Sequence, residues 1–246
     1  MKSKLARLLK LKTSPVVVLW TDEKPADTIQ CKEGKWACVI SFLVQAAKGK
    51  TVVFDENTVT CRGGKTGIGF GRYEPGSIEY FLSTGEKGEE GERYWKTPEL
   101  ARAFIESLPE MKVPTKYVVL KPLEQLEEDE TPKAVVFLVN PDQLSALITL
   151  SNYDRPTGDN VVHYAGAGCH STILFPIVEG EKENAKAIIG LTDISARKVI
   201  DKDILSFSIP YDRFLELESN AEKSFLRTDE WKSIAKRSSS PFKGEE

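Results

Sequence analysis

The sequence predicts an α+β protein, with a mixed β-sheet and flanking helices in a single compact domain or two intimately packed halves. Short apolar segments of strand length recur along the chain, helical segments lie between them, and the two types do not alternate strictly. The 246 residues suffice to bury a core without disulfides. We expect one domain over residues 1–220, a C-terminal helix over 221–237 and a disordered tail over 238–246.

In the first half, punctuating residues separate the elements. Pro15 ends the first helix, Gly49 closes the second, and Pro98 sits at the first position of the third. We predict, in order, a helix over residues 3–12, a strand over 16–20, a polar loop over 21–35, a buried helix over 36–48, a strand over 51–54, a glycine-rich loop over 61–71, a mobile surface loop over 85–91 and a helix over 97–108.

The second half continues the mixture of strands and helices. Asn140 and Gln143 form a capping-box pattern that begins a helix. We predict strands over residues 117–120, 134–139, 161–164, 186–190 and 205–209, helices over 140–150, 211–219 and 222–236, and a helical or extended apolar segment up to residue 178. The sequence contains no clean internal repeat.

Bulk composition excludes several classes of protein. The formal net charge of −3 gives no whole-molecule attraction to nucleic acid. No apolar run approaches the roughly 20 residues of a membrane span, and no signal-peptide pattern follows the first lysines. We therefore expect a cytoplasmic protein without nucleic-acid or membrane partners. In a reducing compartment, its four cysteines favour metal binding or catalysis over disulfides.

The cysteines are the strongest chemical candidates. None of the spacings between Cys31, Cys38, Cys61 and Cys169 matches a zinc-ribbon or ferredoxin motif. Cys38 lies near a predicted helix start, and Cys61 and Cys169 lie in glycine-flanked turns. Backbone N–H groups at such positions stabilise thiolate, the form that binds metal or attacks. The alternative is that Cys38 is a core residue and the others are structural.

Both histidines lie close to Cys169. His163 and His170 bracket the glycine-rich segment that contains Cys169. Imidazole can act as a base toward a thiol or as a metal ligand, so Cys169 and His170 form a candidate catalytic pair. Adjacent residues on a helix do not face each other, however, and His170 need not touch the Cys169 sulfur.

Two polar loops are candidate binding sites for a small anionic ligand. Residues 61–71 hold five glycines but fit neither a phosphate loop nor a dinucleotide fingerprint. The exposed N–H groups of Gly63 and Gly64, with Arg62 and Lys65, would still favour an anion. The second loop follows a strand and carries Asp193, Ser195 and Arg197, which could hold a polar ligand. The alternatives are a flexible turn and a capped surface turn.

Several motifs in a fixed order resemble the domain-of-unknown-function family 169, which is found in archaea and bacteria, many of them anaerobes. The resemblance spans roughly residues 5–217. The motifs are Ser-Pro-Val-Val-Val at 14–18, the helical Cys38, Ala-Ala-Lys-Gly-Lys at 46–50, the Cys61 segment to Gly69, Asn-Pro-Asp-Gln at 140–143, Gly-Cys at 168–169 and Ser-Ala-Arg at 195–197.

The resemblance implies a site but no established activity. It singles out Cys38, Cys61 and Cys169. Three thiols with an open fourth position would suit an iron–sulfur cluster or zinc, with Cys31 or His170 as the fourth ligand and a redox or sensing role. A thiol enzyme with Cys169 as nucleophile and a non-catalytic module for a small anionic ligand remain the alternatives. The sequence does not determine the oligomeric state.

Overall fold

Eight strands form one mixed sheet in the computed structural model, which describes residues 2–74 and 76–237. The order across the sheet is β2-β3-β4-β1-β5-β8-β7-β6. The strands are Val16–Thr21 (β1), Ile29–Gln30 (β2), Val52–Phe54 (β3), Tyr117–Pro122 (β4), Ala134–Val139 (β5), Val161–Val162 (β6), Ala187–Gly190 (β7) and Leu205–Pro210 (β8).

Nine α-helices and several short 3-10 turns surround this sheet within the described residues. The α-helices are Lys4–Leu8 (α1), Val39–Ala47 (α2), Arg62–Gly67 (α3), Ile78–Phe81 (α4), Pro98–Ser107 (α5), Pro141–Ser151 (α6), Phe175–Glu179 (α7), Tyr211–Asn220 (α8) and Asp229–Arg237 (α9). A π-helical segment, His170–Leu174, runs directly into α7. The α+β class is therefore confirmed.

The two faces of the sheet are covered by different helices. Val17 and Leu19 of β1 face a core formed with α1, α6, α8 and α9, whereas Val16 and Val18 face a core formed with α2 and the π-helical segment. Burial on both faces explains why β1 is a continuous apolar run rather than an alternating one. Two of the three cysteines implied by the family resemblance, Cys38 and Cys169, lie on the second face.

The sheet contains an internal repeat. Strands β1 to β4 are arranged as 2-3-4-1, and β5 to β8 are arranged as 6-7-8-5, which is the same order. In each half the outer pair is parallel and the next two pairings are antiparallel. The prediction that the sequence has no clean internal repeat is not tested by this finding, because strand order can repeat without a recognisable sequence period.

The registers of the two halves also agree. The β1–β4 and β5–β8 ladders each contain six residue pairs, and they end at Pro122 and Pro210 respectively. The residue after each proline donates its N–H to the residue before the paired strand, Leu123 to Pro15 and Tyr211 to Lys133. The antiparallel β1–β5 pairing is symmetrical about Val17 and Val135. An approximate twofold axis through this central pair therefore relates the halves.

Several element boundaries differ from the sequence-based prediction. The buried helix begins at Val39 rather than at residue 36, and the glycine-rich loop contains the short helix α3. The predicted loop over 21–35 contains β2, which pairs in parallel with β3. The predicted C-terminal helix is divided into 3-10 turns and α9, because Ser224 and Thr228 begin new segments with their side-chain caps. The predicted tail over 238–246 lies outside the described residues.

Arg213 is a buried cation that joins α8 to the end of α6. Only 3% of the residue is exposed, and its guanidinium donates to the Ser151 carbonyl at 2.9 Å and to the Asp154 carboxylate at 2.6 and 2.8 Å. The hydrogen bonds from Arg213 lower the pKa of Asp154 below its ordinary value. Ionised Asp154 therefore stabilises the folded state.

We expect this pair to contribute to stability in acid. The pKa of Asp154 is lower in the folded than in the unfolded chain, so its contribution is complete above about pH 4 and is lost as the pH falls through the folded value. Asp154→Asn should lower the unfolding free energy at neutral pH by about 1–3 kcal/mol and flatten its dependence on pH below about 4. Denaturant melts at several pH values measure both effects.

Asp229→Asn is the matched control. The Asp229 side chain pairs with Lys232 but is 94% exposed, so its replacement should leave the unfolding free energy nearly unchanged. If both substitutions lower the unfolding free energy equally, the buried position of Arg213 does not make its pair with Asp154 more stabilising than an exposed pair.

Candidate functional site

Three cysteines lie at helix starts, Cys38 and Cys61 as extended residues just outside the helix and Cys169 with helical backbone dihedrals in the first turn. Cys38 immediately precedes α2, Cys61 precedes α3, and Cys169 precedes the π-helical segment. None of their sulfurs makes a side-chain capping hydrogen bond, and all three thiols are free. The sequence-based placement of these residues at helix starts and glycine-flanked turns is thus confirmed.

Glycines allow these three helix starts to pack together. A Cβ atom added to Gly67 would lie 2.4 Å from the Cβ atom of Cys169, and one added to Gly64 would lie 2.9 Å from a methyl group of Val39. Helix α3 therefore packs against the start of the π-helical segment on one side and the start of α2 on the other. No larger residue could replace these glycines without displacing a neighbour.

The thiols are close enough to influence one another electrostatically. Burial raises the pKa of Cys169 well above its ordinary value, and repulsion from Cys61 and Cys38 raises it further. Burial also raises the pKa of Cys61, and the nearby N–H groups of Gly64 and Gly63 partly offset this increase. Cys61 and Cys169 are therefore protonated at neutral pH in the ligand-free protein.

Local sequence explains the unusual helix that begins at Cys169. Pro176 has no N–H to donate to the preceding turn, and its ring crowds the carbonyl four residues earlier, so the turn before it widens into a π-helix. The hydroxyls of Ser171 and Thr172 both donate to the Gly168 carbonyl, at 3.0 and 2.8 Å. Such π-helical turns occur frequently at functional sites.

The contacts of the His170 ring do not suit it to act as a base for Cys169. Its Nδ1 atom accepts the Ala167 N–H at 3.2 Å, and its Nε2 atom lies 3.4 Å from the Tyr73 hydroxyl. Burial lowers the pKa of His170 to about 4, so the ring is neutral at physiological pH. Among the hydrogen bonds of the described residues, none joins His170 to Cys169. Catalysis by Cys169 and His170 as a pair therefore remains a prediction, and the observed contacts do not support it.

Asp193 brings a carboxylate to the same region. Its Oδ2 atom accepts the Gly168 N–H at 3.1 Å, and its two oxygens accept the Ser195 hydroxyl at 2.9 and 2.8 Å. Burial is the main cause that raises the pKa of Tyr73, and the negative charges of Cys169, Cys61 and Asp193 raise it further. The Tyr73 hydroxyl lies 3.4 Å from the His170 Nε2 atom and 3.4 Å from a Cβ atom added to Gly63, so it borders the segments that follow Cys61 and Cys169. Sequence reasoning missed Tyr73, whose only signal was its position two residues after the glycine-rich stretch.

The side chains proposed to bind an anion have partners within the protein. The Arg62 guanidinium pairs with Glu89 at 3.2 Å, and the aliphatic carbons of Lys65 cover Gly71. Arg197 donates to four backbone carbonyls of its own loop, those of Leu191, Asp201, Lys202 and Ile204. Arg197 thus organises the loop that carries Asp193 and Ser195.

A segment between α4 and α5 borders the site from outside. Glu89 of this segment holds Arg62 beside Cys61, and Tyr94 donates to Glu92 at 2.8 Å. Burial and the hydrogen bond to Glu92 raise the pKa of Tyr94 to about 12, while a hydrogen bond with Ser195 opposes the increase. The segment therefore contacts both the Cys61 and the Ser195 sides of the site.

Cys31 belongs to a separate environment. It is 7% exposed, and its thiol donates to the Lys35 carbonyl at 3.3 Å, which also accepts the Thr60 hydroxyl at 2.9 Å. Within residues 2–74 and 76–237, no three His, Cys, Asp or Glu side chains are arranged to hold a metal ion. The thiols thus share a region without forming a preassembled metal site.

The comparison with known families agrees with the resemblance in the sequence. The model of the family DUF169, described as an uncharacterised ArCR, matches residues 4–220. The chain therefore belongs to this family. No curated protein and no solved structure matches the chain. In the described part of the chain, no helix is both long and apolar enough to cross a membrane.

We predict that Gly67→Ala will disrupt the packing of α3 against Cys169. The added methyl group would overlap the Cβ atom of Cys169 and approach its carbonyl carbon at 2.9 Å. Overpacking of this kind should cost about 1–3 kcal/mol and increase the rate at which Cys169 is alkylated. Thermal melts and mass spectrometry of alkylated peptides measure these effects. Gly158→Ala, with no atom within 4 Å of the added Cβ, is the control and should leave both unchanged.

Proposed function

We propose that the chain binds a thiophilic metal, as zinc or as an iron–sulfur cluster, through Cys38, Cys61 and Cys169, and that the bound centre has a redox or sensing role. One observation carries the proposal. Three thiols from separate segments lie at helix starts, and α3, which follows Cys61, packs against the start of α2 through Gly64 and against Cys169 through Gly67. An apolar core alone does not require a cysteine at each of three neighbouring helix starts.

The donor set suits such a metal. Thiolates are the preferred ligands of zinc and of iron–sulfur clusters. The backbone N–H groups at a helix start favour a negative sulfur once its proton has left. Because Cys61 and Cys169 are protonated in the ligand-free protein, metal binding must displace their protons.

The proposal also requires movement. In the described residues no three potential ligands are placed around one point, so the thiols must approach one another when the metal binds. Cys38 and Cys61 are half-buried and have extended backbone just outside their helices, whereas Cys169 is buried with 5% of its surface exposed. We therefore expect the first two to move toward the third.

The alternative of a nucleophilic Cys169 has less support. Burial keeps that thiol protonated, and the neutral His170 ring interacts with Ala167 and Tyr73. A nucleophilic cysteine instead needs a lowered pKa or an adjacent base. Binding of a small anion is also less favoured, because the Arg62 and Arg197 guanidinium groups are already engaged.

The proposal is tested by anaerobic purification, iron and zinc analysis, and a visible spectrum before and after reconstitution. We expect the wild-type protein to bind metal, and Cys38→Ser, Cys61→Ser and Cys169→Ser each to weaken binding at least about tenfold, because each removes a ligand. Cys31→Ser is the matched control and should bind as the wild type does. Circular dichroism of the metal-free variants separates loss of ligand from loss of fold.

Two results would contradict the proposal. The first is a wild-type protein that remains colourless and free of iron and zinc after reconstitution. The second is unchanged metal content in a variant that lacks all three cysteines.

A further inference from the structure

The two halves of the internal repeat differ in one connection. Helix α2 links β2 to β3 in the first half, and the π-helical segment with α7 links β6 to β7 in the second. The next connection differs in length, because residues 55–116 separate β3 from β4 whereas residues 191–204 separate β7 from β8. Residues 82–97 of the longer connection form a loop without helix or strand between α4 and α5. Loops of this length in a compact domain are usually functional.

The base of this loop is fixed, whereas its tip is a separate excursion. The Glu92 N–H donates to the Phe81 carbonyl at 2.8 Å and ties the returning chain to α4. Gly85 and Gly91 then touch, because a Cβ atom added to either would lie 2.6 Å from the backbone nitrogen of the other. Residues 86–90 therefore leave the chain and return to it at one point.

One ion pair joins this tip to the body of the protein. The Glu89 carboxylate lies 3.2 Å from the guanidinium of Arg62, the residue that directly follows Cys61. Only 20% of the Glu89 side chain is exposed, compared with 54% for Arg62, so the carboxylate is turned inward. In the part of the chain that the structure describes, no other ion pair or hydrogen bond joins residues 86–90 to the sheet or to the helices that cover it.

We infer that residues 86–90 form a gate over Cys61, which the Arg62–Glu89 ion pair holds closed. The contact between Gly85 and Gly91 lets the tip swing away without disturbing α4 or α5. A half-exposed ion pair is a weak restraint, so the gate opens reversibly. Cys61 is half-buried in the closed state, and opening exposes its thiol to a thiophilic metal or to an electrophile. This inference concerns access to the thiol and goes beyond the proposed function.

Alkylation of Cys61 by a small and a bulky reagent tests the inference on the full-length, metal-free protein. Iodoacetamide and a bulky aryl maleimide both react with thiolate, so a change in the pKa of Cys61 alters the two rates similarly. Opening of a gate instead favours the bulky reagent. The readout is therefore the ratio of the bulky-reagent rate to the small-reagent rate at Cys61, measured by mass spectrometry of peptides under anaerobic conditions.

Three variants should raise or restore this ratio. Glu89→Gln should raise it about two- to fivefold, the change in open population expected when a half-exposed ion pair is lost. Deletion of residues 86–90 should raise it further, and the fold accommodates this deletion because Gly85 and Gly91 already lie close enough for a direct peptide bond. Arg62→Glu combined with Glu89→Arg exchanges the charges of the pair and should return the ratio toward the wild-type value.

Glu90→Gln is the matched control. It removes the same charge from the neighbouring exposed position and leaves the Arg62–Glu89 pair intact, so the ratio should not change. Thermal melts of every variant report the fold. The alkylation rate of Cys31, which lies in a separate environment, reports any general opening of the structure.

Several results would overturn the inference. It fails if Glu89→Gln and the deletion leave the ratio unchanged, or if Glu90→Gln raises it as much as Glu89→Gln does. It also fails if exchanging the charges does not lower the ratio below that of Glu89→Gln, or if Cys31 gains reactivity in step with Cys61 in both Glu89→Gln and the deletion. The readout does not depend on metal, so a protein free of iron and zinc would contradict the proposed function and leave the gate in place.

Discussion

Val17 and Val135 pair at the centre of the sheet, where β1 runs antiparallel to β5, and this pairing joins the two repeats. Each repeat alone would be a four-stranded sheet with an exposed, apolar edge strand, which is a site for aggregation. Joined along that edge, the halves bury Val16, Val17 and Val18 completely. The helices of both faces then pack on one continuous surface.

This pairing also determines where the cysteines lie. A twofold axis perpendicular to the sheet keeps equivalent helices on the same face, so the starts of α2 and the π-helical segment approach each other from opposite halves. Gly64 and Gly67 of α3 fill the space between them, since only glycine fits at these distances. The site is therefore a product of the repeat and of close packing together.

The two halves have diverged in the residues that underlie the site. Val118 and Leu120 of β4 belong to the apolar core beneath α2, whereas their counterparts on β8 are Ser206 and Ser208. Both serine side chains are buried without a hydrogen-bond partner in the described structure. The part of the sheet that packs against the π-helical segment is thus more polar than the part beneath α2.

Local patterns in the sequence determined most of the elements, because periodicity, caps and prolines act within a few residues. Examples are the capping box at Asn140, the helix start at Pro98 and the doubly buried strand β1. They also placed the three cysteines at helix starts and glycine turns. Tertiary structure alone decided the internal repeat, the hydrogen bond from the Gly168 N–H to Asp193 and the orientation of His170 toward Tyr73. Strand order and through-space contacts join residues far apart in the chain, and no local pattern records them.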